Sequence, residues 1–261
     1  MSSLWLMYHD VVDGEPDPRV PPSAALYHVT AERFAAHLDA ITASGLPATT
    51  AGAWRAGERS VVLTFDDGWL GSLRRGVEQL QHSGLVATFY ILKDFIGRRG
   101  FADRQSLLDA HRAGMEIGVH GSSHRALSSC TEDEVRSELG DCKKELEDLL
   151  GAPVVSASAP GGEWNPGIAR IAEELGLRTL STSRPGLNRA GAPPRRLRRM
   201  AIRRQTSAAH VAKWCRFDVG AELWRWRLLQ LPRTVLGPRL YTRLRRTLLR
   251  DRGHHDEIFK A

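Results

Sequence analysis

The chain reads as an α/β protein: parallel strands with helices outside and a barrel-like closure. Three observations carry this. Short apolar runs alternate with stretches of helical period along most of its 261 residues, the pattern of a helix-covered parallel sheet. No glycine-rich phosphate fingerprint follows the first strand, which disfavours an open nucleotide-binding sheet. Polar clusters also fall just after strands one, two, four and five, the rim that carries active sites in parallel α/β folds.

Leu4 to Tyr8 is the first strand and ends at His9-Asp10. A Pro- and Gly-rich loop runs from Asp13 to Pro22. Thr30 then caps a helix with Phe34, Leu38 and Ile41 on one face, stopped by Gly45. Val61 to Phe65 is the second strand, and Leu73, Val77 and Leu80 stripe the next helix. Val86 to Leu92 is the third strand, and residues 104–113 form a helix. Met115 to Val119 is the fourth strand and ends at His120. Thr131 and Glu134 make a capping box for a long helix closed by Gly151. Pro153 to Ser158 is the fifth strand, and Ile168, Ile171 and Leu175 mark the helix after it. Leu177 to Thr182 and Leu197 to Ile202 are strands six and seven. The reading is strand and helix in alternation, seven times.

Charge divides the chain. Residues 184–261 hold 20 of the 37 Lys+Arg and only 5 of the 30 Asp+Glu, so a basic tail follows a mildly acidic body. The expected domains are a barrel over 1–205 and a basic, amphipathic helical extension over 206–261. Within that extension, Trp224 to Leu229 and Leu240 to Arg250 interleave arginines with apolar residues. Such a segment can lie on an anionic membrane surface, dock on the barrel, or meet an acidic partner. No nucleic-acid-binding module accompanies the charge, so nucleic acid is not an expected partner. There is no run of 18 apolar residues and no basic start followed by a long apolar stretch. The expectation is therefore a cytoplasmic protein, peripheral at the membrane if the tail binds there. Three widely spaced cysteines exclude a disulfide framework.

The chemistry begins at Asp66-Asp67-Gly68. Alone, that triplet is usually a turn. At a strand tip, adjacent side chains leave the backbone in different directions, so two carboxylates can share one site and hold two roles. His120 and His124 stand four residues apart. They are either two exposed loop histidines or a pair reaching one ion. With a neighbouring Asp they make a His, His, Asp set with open positions, which fits zinc or a similar divalent ion. Such an ion lowers the pKa of a water and polarises a carbonyl. One carboxylate then takes the water's proton, and a histidine protonates a departing amine. Trp69 and Trp164 follow these positions and could stack on a sugar face or belong to the core.

Thr64-Phe65-Asp66-Asp67-Gly68, His120-Gly121-Ser122-Ser123-His124 and Ala159-Pro160-Gly161-Gly162 together resemble the polysaccharide deacetylase family (NodB homology domain, carbohydrate esterase family 4). The resemblance covers roughly residues 4–205. It implies a distorted (β/α)7 barrel and a metal-dependent hydrolase that removes N-acetyl groups from an amino sugar of a glycan by attack of an ion-activated water. By motif position, Asp66 would be the base, and Asp67, His120 and His124 the ligands of Zn2+, with Co2+, Ni2+ and Fe2+ as alternatives. Pro160 and Gly162 would border the substrate; Trp69 and Trp164, outside the motifs, are read from their positions as rim contacts to a sugar. Leu6-Met7-Tyr8-His9-Asp10 resembles the segment that usually closes this domain and supplies its acid. Its N-terminal place is similar to the permuted branch of poly-N-acetylglucosamine deacetylases, which assigns the acid to His9. Ser158 stands where the family has an arginine that orients the base, and the tryptophan-containing fourth motif has only a rough counterpart at Leu180 to Arg184. A deacetylase of a lipid-linked or small amino sugar, and an inactive carbohydrate-binding member, are the alternatives.

Overall fold

The structure, a computed structural model, describes residues 1–228. Seven strands form the frame: β1 Ser2–Tyr8, β2 Ser60–Phe65, β3 Ala87–Leu92, β4 Glu116–Gly121, β5 Ser156–Ser158, β6 Thr179–Ser181 and β7 Met200–Ala201. The first six pair in parallel in chain order. The circuit is completed by residues 197–201: Leu197 bridges Ser181 of β6, and β7 pairs with β1 at Leu6 and Met7. The result is a seven-membered parallel barrel with one thin, irregular side, the distorted form expected.

The helices are α1 Ala31–Ala43, α2 Val77–His82, α3 Arg104–Arg112, α4 Glu132–Leu150, α5 Pro166–Glu174 and α6 Ala208–Cys215. Thr30 caps α1 through the Arg33 N–H, and Thr131 and Glu134 close a reciprocal capping box on α4. Gly151 ends α4 at φ 65°, a left-handed cap that glycine takes without a Cβ penalty. The strands are buried on both faces, because helices cover the outside and packed side chains fill the inside. Phe65 stacks between Tyr8 and Phe89 with ring centroids 5.2 and 4.7 Å away, and Phe34 of α1 meets it edge-on at 5.6 Å. Each such ring contributes about 1.5–3 kcal/mol by leaving water.

The alternation fails once. No helix separates β6 from β7. Residues 182–199 form an irregular return, with Asn188–Arg189 pairing antiparallel to the start of β1. Pro185, Gly186, Gly191, Pro193 and Pro194 crowd that stretch and deny it a helix. Beyond the barrel strands, Val211, Trp214, Cys215 and Val219 are buried in the main core, so α6 packs as part of the same body. Residues 220–228 are helical. The expected amphipathic segment Leu240 to Arg250 lies outside the described residues. No described helix is long and apolar enough to cross a membrane.

Candidate active site

The ends of β1, β2, β4 and β5 converge on one rim. At β2, Asp66 and Asp67 follow Phe65, and the backbone turns sharply: Asp67 has φ 72° and Gly68 φ 76°. A left-handed aspartate is tolerated but uncommon, and such conformations concentrate at functional sites. The turn sends the two carboxylates to different partners. At β4, Val119 aligns with Ile91 and Gly121 with Leu92, so His120 is the extra residue of a bulge. The bulge re-aims its side chain. His124, at φ 64°, ends the loop that follows.

Asp67, His120 and His124 offer ligand atoms that all lie within 4.8 Å of one another. His120 Nε2 is 3.2 Å and His124 Nε2 3.5 Å from Asp67 Oδ1. Two ligands about 2.0–2.1 Å from a tetrahedral zinc ion stand roughly 3.4 Å apart, so the spacing fits a divalent ion. The outer contacts agree. His120 Nδ1–H donates to the Ser158 carbonyl at 3.0 Å, leaving Nε2 as the lone-pair face. Trp69 Nε1–H donates to Asp67 Oδ2 at 3.1 Å, leaving Oδ1 inward. Glu138, buried on α4, accepts the Ser122 and Ser123 N–H groups at 2.8 and 2.9 Å and the Ser123 hydroxyl. It therefore fixes the loop between the two histidines.

Asp66 faces the other way. Arg199, fully buried, donates Nη1 to Asp66 Oδ1 and Nη2 to Oδ2, both at 2.7 Å. The same guanidinium reaches Ser158 Oγ at 2.8 Å, Thr64 Oγ1 at 3.0 Å and the Thr182 carbonyl at 3.0 Å. Burial pushes the Asp66 carboxyl up, but the Arg199 and His120 charges outweigh it and hold the group below its ordinary value. The arginine missing at Ser158 is thus supplied from the seventh strand segment, and the serine hydroxyl receives it. Neither role was assigned from sequence. A signal existed: a strand over Leu197 to Ile202 holds two adjacent arginines, and alternation must turn one of them inward.

His9, at the end of β1, stacks on Tyr27 with centroids 4.7 Å apart, and its Nδ1 is buried. Burial lowers its pKa, with Asp67 and Asp66 opposing. His9, Asp66, Asp67, His120, His124 and Pro160 all line one cavity of about 880 Å³, within the usual size of a ligand pocket. Gly162 sits beside it at φ 72°, where an added Cβ would strike Ser183. The two tryptophans do not line the cavity. Trp69 is 4% exposed and packs on Phe101 and His28 beneath Asp67. Trp164 is half-buried against the main core, donating to the Arg195 carbonyl at 2.6 Å with Arg196 over its ring.

Comparison with known proteins locates this rim in a family. The polysaccharide deacetylase profile matches residues 54–180, a segment that carries both aspartates and both histidines but neither His9 nor Arg199. The chain is 25% identical over 189 residues to YxkH of Bacillus subtilis (strain 168), covering 69% of this chain and 64% of that protein. It is 32% identical over 128 residues to a chitooligosaccharide deacetylase of Azorhizobium caulinodans, covering 48% of this chain and 59% of that one. The chain thus spans less than two thirds of each. In fold it is similar to the Streptococcus pyogenes deacetylase PplD (TM-score 0.71, 20% identity, 82% of this chain and 97% of that one). IcaB from Ammonifex degensii is similar to the same extent (TM-score 0.69, 22% identity, 82% and 97%). The strand-tip aspartates and the bulged histidine fall on the segment that the profile matches, and residues 54–180 of this chain belong to the polysaccharide deacetylase family.

Proposed function

We propose that the chain is a metal-dependent carbohydrate N-deacetylase that hydrolyses the acetamide of an N-acetylated amino sugar in a glycan. One observation carries the reading: neighbouring carboxylates are committed to different partners, Asp67 to two histidines and Asp66 to an arginine. Asp67, His120 and His124 are the residues that hold the ion, zinc fitting the donor set best, and the barrel over 1–205 is the catalytic unit. When bound, a divalent ion there acidifies a water and polarises the acyl oxygen. Asp66, kept ionised by Arg199, takes the proton of the attacking water. His9 gives a proton to the departing amine nitrogen, so acetate leaves from a neutral amine rather than an amide anion. Pro160 and Gly162 shape the wall beside the acyl group. The complete base and ligand sets favour an enzyme over a carbohydrate-binding member that has lost catalysis.

The basic segment after residue 206 supports peripheral contact with anionic membrane, which would make the protein cytoplasmic and membrane-associated. Pelleting with anionic vesicles, full chain against a chain ending near 220, tests this; equal pelleting contradicts it. For the enzyme reading, the test is acetate release from N-acetylglucosamine oligomers by protein stripped with a chelator and reloaded. Release that disappears on stripping and returns with Zn2+ or Co2+ is the expected result. Release that persists in fully stripped protein contradicts metal dependence.

A further inference from the structure

The cavity extends beyond what an acetamide needs, and part of its lining comes from outside the family-matched segment. Tyr27, Arg203, Arg204, Glu222, Arg225 and Trp226 line it. We propose that this wall binds the phosphate of an N-acetylated glycosyl phosphate, between Arg203 and Arg225, with the sugar face against Tyr27 and Trp226. The inference rests on the deacetylase reading and narrows its substrate.

Location together with pairing singles out two of these arginines. Several surface arginines elsewhere meet carboxylates, such as Arg104 with Glu145, Arg125 with Glu134, Arg136 with Glu174, and Arg170 with both Glu132 and Glu174, and others do not, but those lie away from the cavity. In the wall itself, Arg204 is committed to Glu15 at 2.8 Å and to the Gly14 carbonyl at 3.2 Å. Arg203 and Arg225 are exposed to the cavity, and among the described residues no carboxylate lies within ion-pair distance of either. Two unneutralised guanidiniums on one cavity wall suit a phosphate, whose oxygens accept paired N–H bonds.

The remaining charges do not oppose this. Asp66 is cancelled by Arg199, and Asp67 lies among histidines at the ion site. Glu222 is the one other carboxylate lining the cavity among the described residues, and its Oε2 is buried without a hydrogen-bond partner among them. It suits a sugar hydroxyl, which donates to it where an ionised phosphate cannot. Tyr27 and Trp226 offer half-buried aromatic faces of the kind a pyranose can cover.

The test compares kcat/KM for acetate release by the metal-loaded protein on four substrates. These are neutral N,N'-diacetylchitobiose, N-acetylglucosamine 1-phosphate, UDP-N-acetylglucosamine, and a prenyl-diphosphate-linked N-acetylglucosamine. At least one phosphate-bearing substrate should exceed chitobiose by about tenfold or more, the scale of a charge-assisted contact. Whether the nucleotide or the prenyl compound leads identifies the phosphate's source. The double variant R203E/R225E should bring that ratio down toward one. In the wild type the ratio should also shrink as salt rises. Equal or better turnover of chitobiose, or a ratio unmoved by both the variant and salt, overturns the inference and leaves the deacetylase reading intact. Failure on all four substrates overturns both.

Discussion

Arg199 grips Asp66 with both ends of its guanidinium, two 2.7 Å bonds from a side chain 133 residues away in sequence. The pair is buried at the end of β2, at the floor of the cavity. Truncation in Arg199→Ala leaves a buried carboxylate unpaired, which costs about 3–5 kcal/mol and shows as a lower midpoint in urea. Arg199→Lys keeps charge but loses the two-point hold, and the Asp66 pKa rises. Activity needs Asp66 ionised, so the acid limb of the kcat/KM profile should move to higher pH. An unmoved limb would mean that Arg199 supports the fold only.

His9→Gln removes the proton donor without touching the ligand set. We expect kcat to fall by about 10²–10⁴-fold with metal content near wild type. An aryl acetate, whose leaving group needs no proton, should lose far less. Equal losses on amide and aryl ester would contradict the acid role.

Glu138→Ala and Trp69→Phe act at one remove. The first frees the backbone N–H groups of Ser122 and Ser123, and the second frees Asp67 Oδ2. Loss of such outer contacts typically costs 10–100-fold in metal affinity, measured by competition with a coloured chelator. Glu138→Gln, which keeps one acceptor, should lie between wild type and Glu138→Ala. Unchanged affinity in both Glu138→Ala and Trp69→Phe would show that the ligands hold themselves.

Asp10 carries a different pH signature. Burial pushes its carboxyl up to about 7, against hydrogen bonds from the Val11 and Ser72 N–H groups. The unfolded chain ionises near pH 3.9, so the folded state binds the extra proton and this group removes stability as pH rises from about 4 to 7. Asp10→Asn keeps the accepting oxygen and abolishes that loss. Its melting temperature relative to wild type should climb between pH 5 and pH 8. A constant difference across that range would contradict it.

The sequence disclosed the barrel strands because apolar runs bounded by caps and glycines need no distant partner to be recognised. The same holds for Asp66, Asp67, His120 and His9, which stand at strand ends, and for His124 on the loop just after one. Arg199 was hidden because it sits in a basic run, Arg195 to Arg204, that reads as solvated charge. Only its packing against β2 separates it from Arg198 beside it. Trp69 misled for a related reason: a tryptophan beside a catalytic motif suggests a rim, while the left-handed turn at Asp67 folds it beneath the site. The break between β6 and β7 was visible as proline and glycine, but the regularity of the preceding units argued for another helix.

The division of labour between Asp66 and Asp67 is tested most directly by Asp66→Asn. Divalent metal per chain and acetate release from an N-acetylglucosamine oligomer would be measured on the same preparation of variant and wild type. The expected result is wild-type metal content with acetate release abolished. Wild-type turnover by Asp66→Asn would contradict the account.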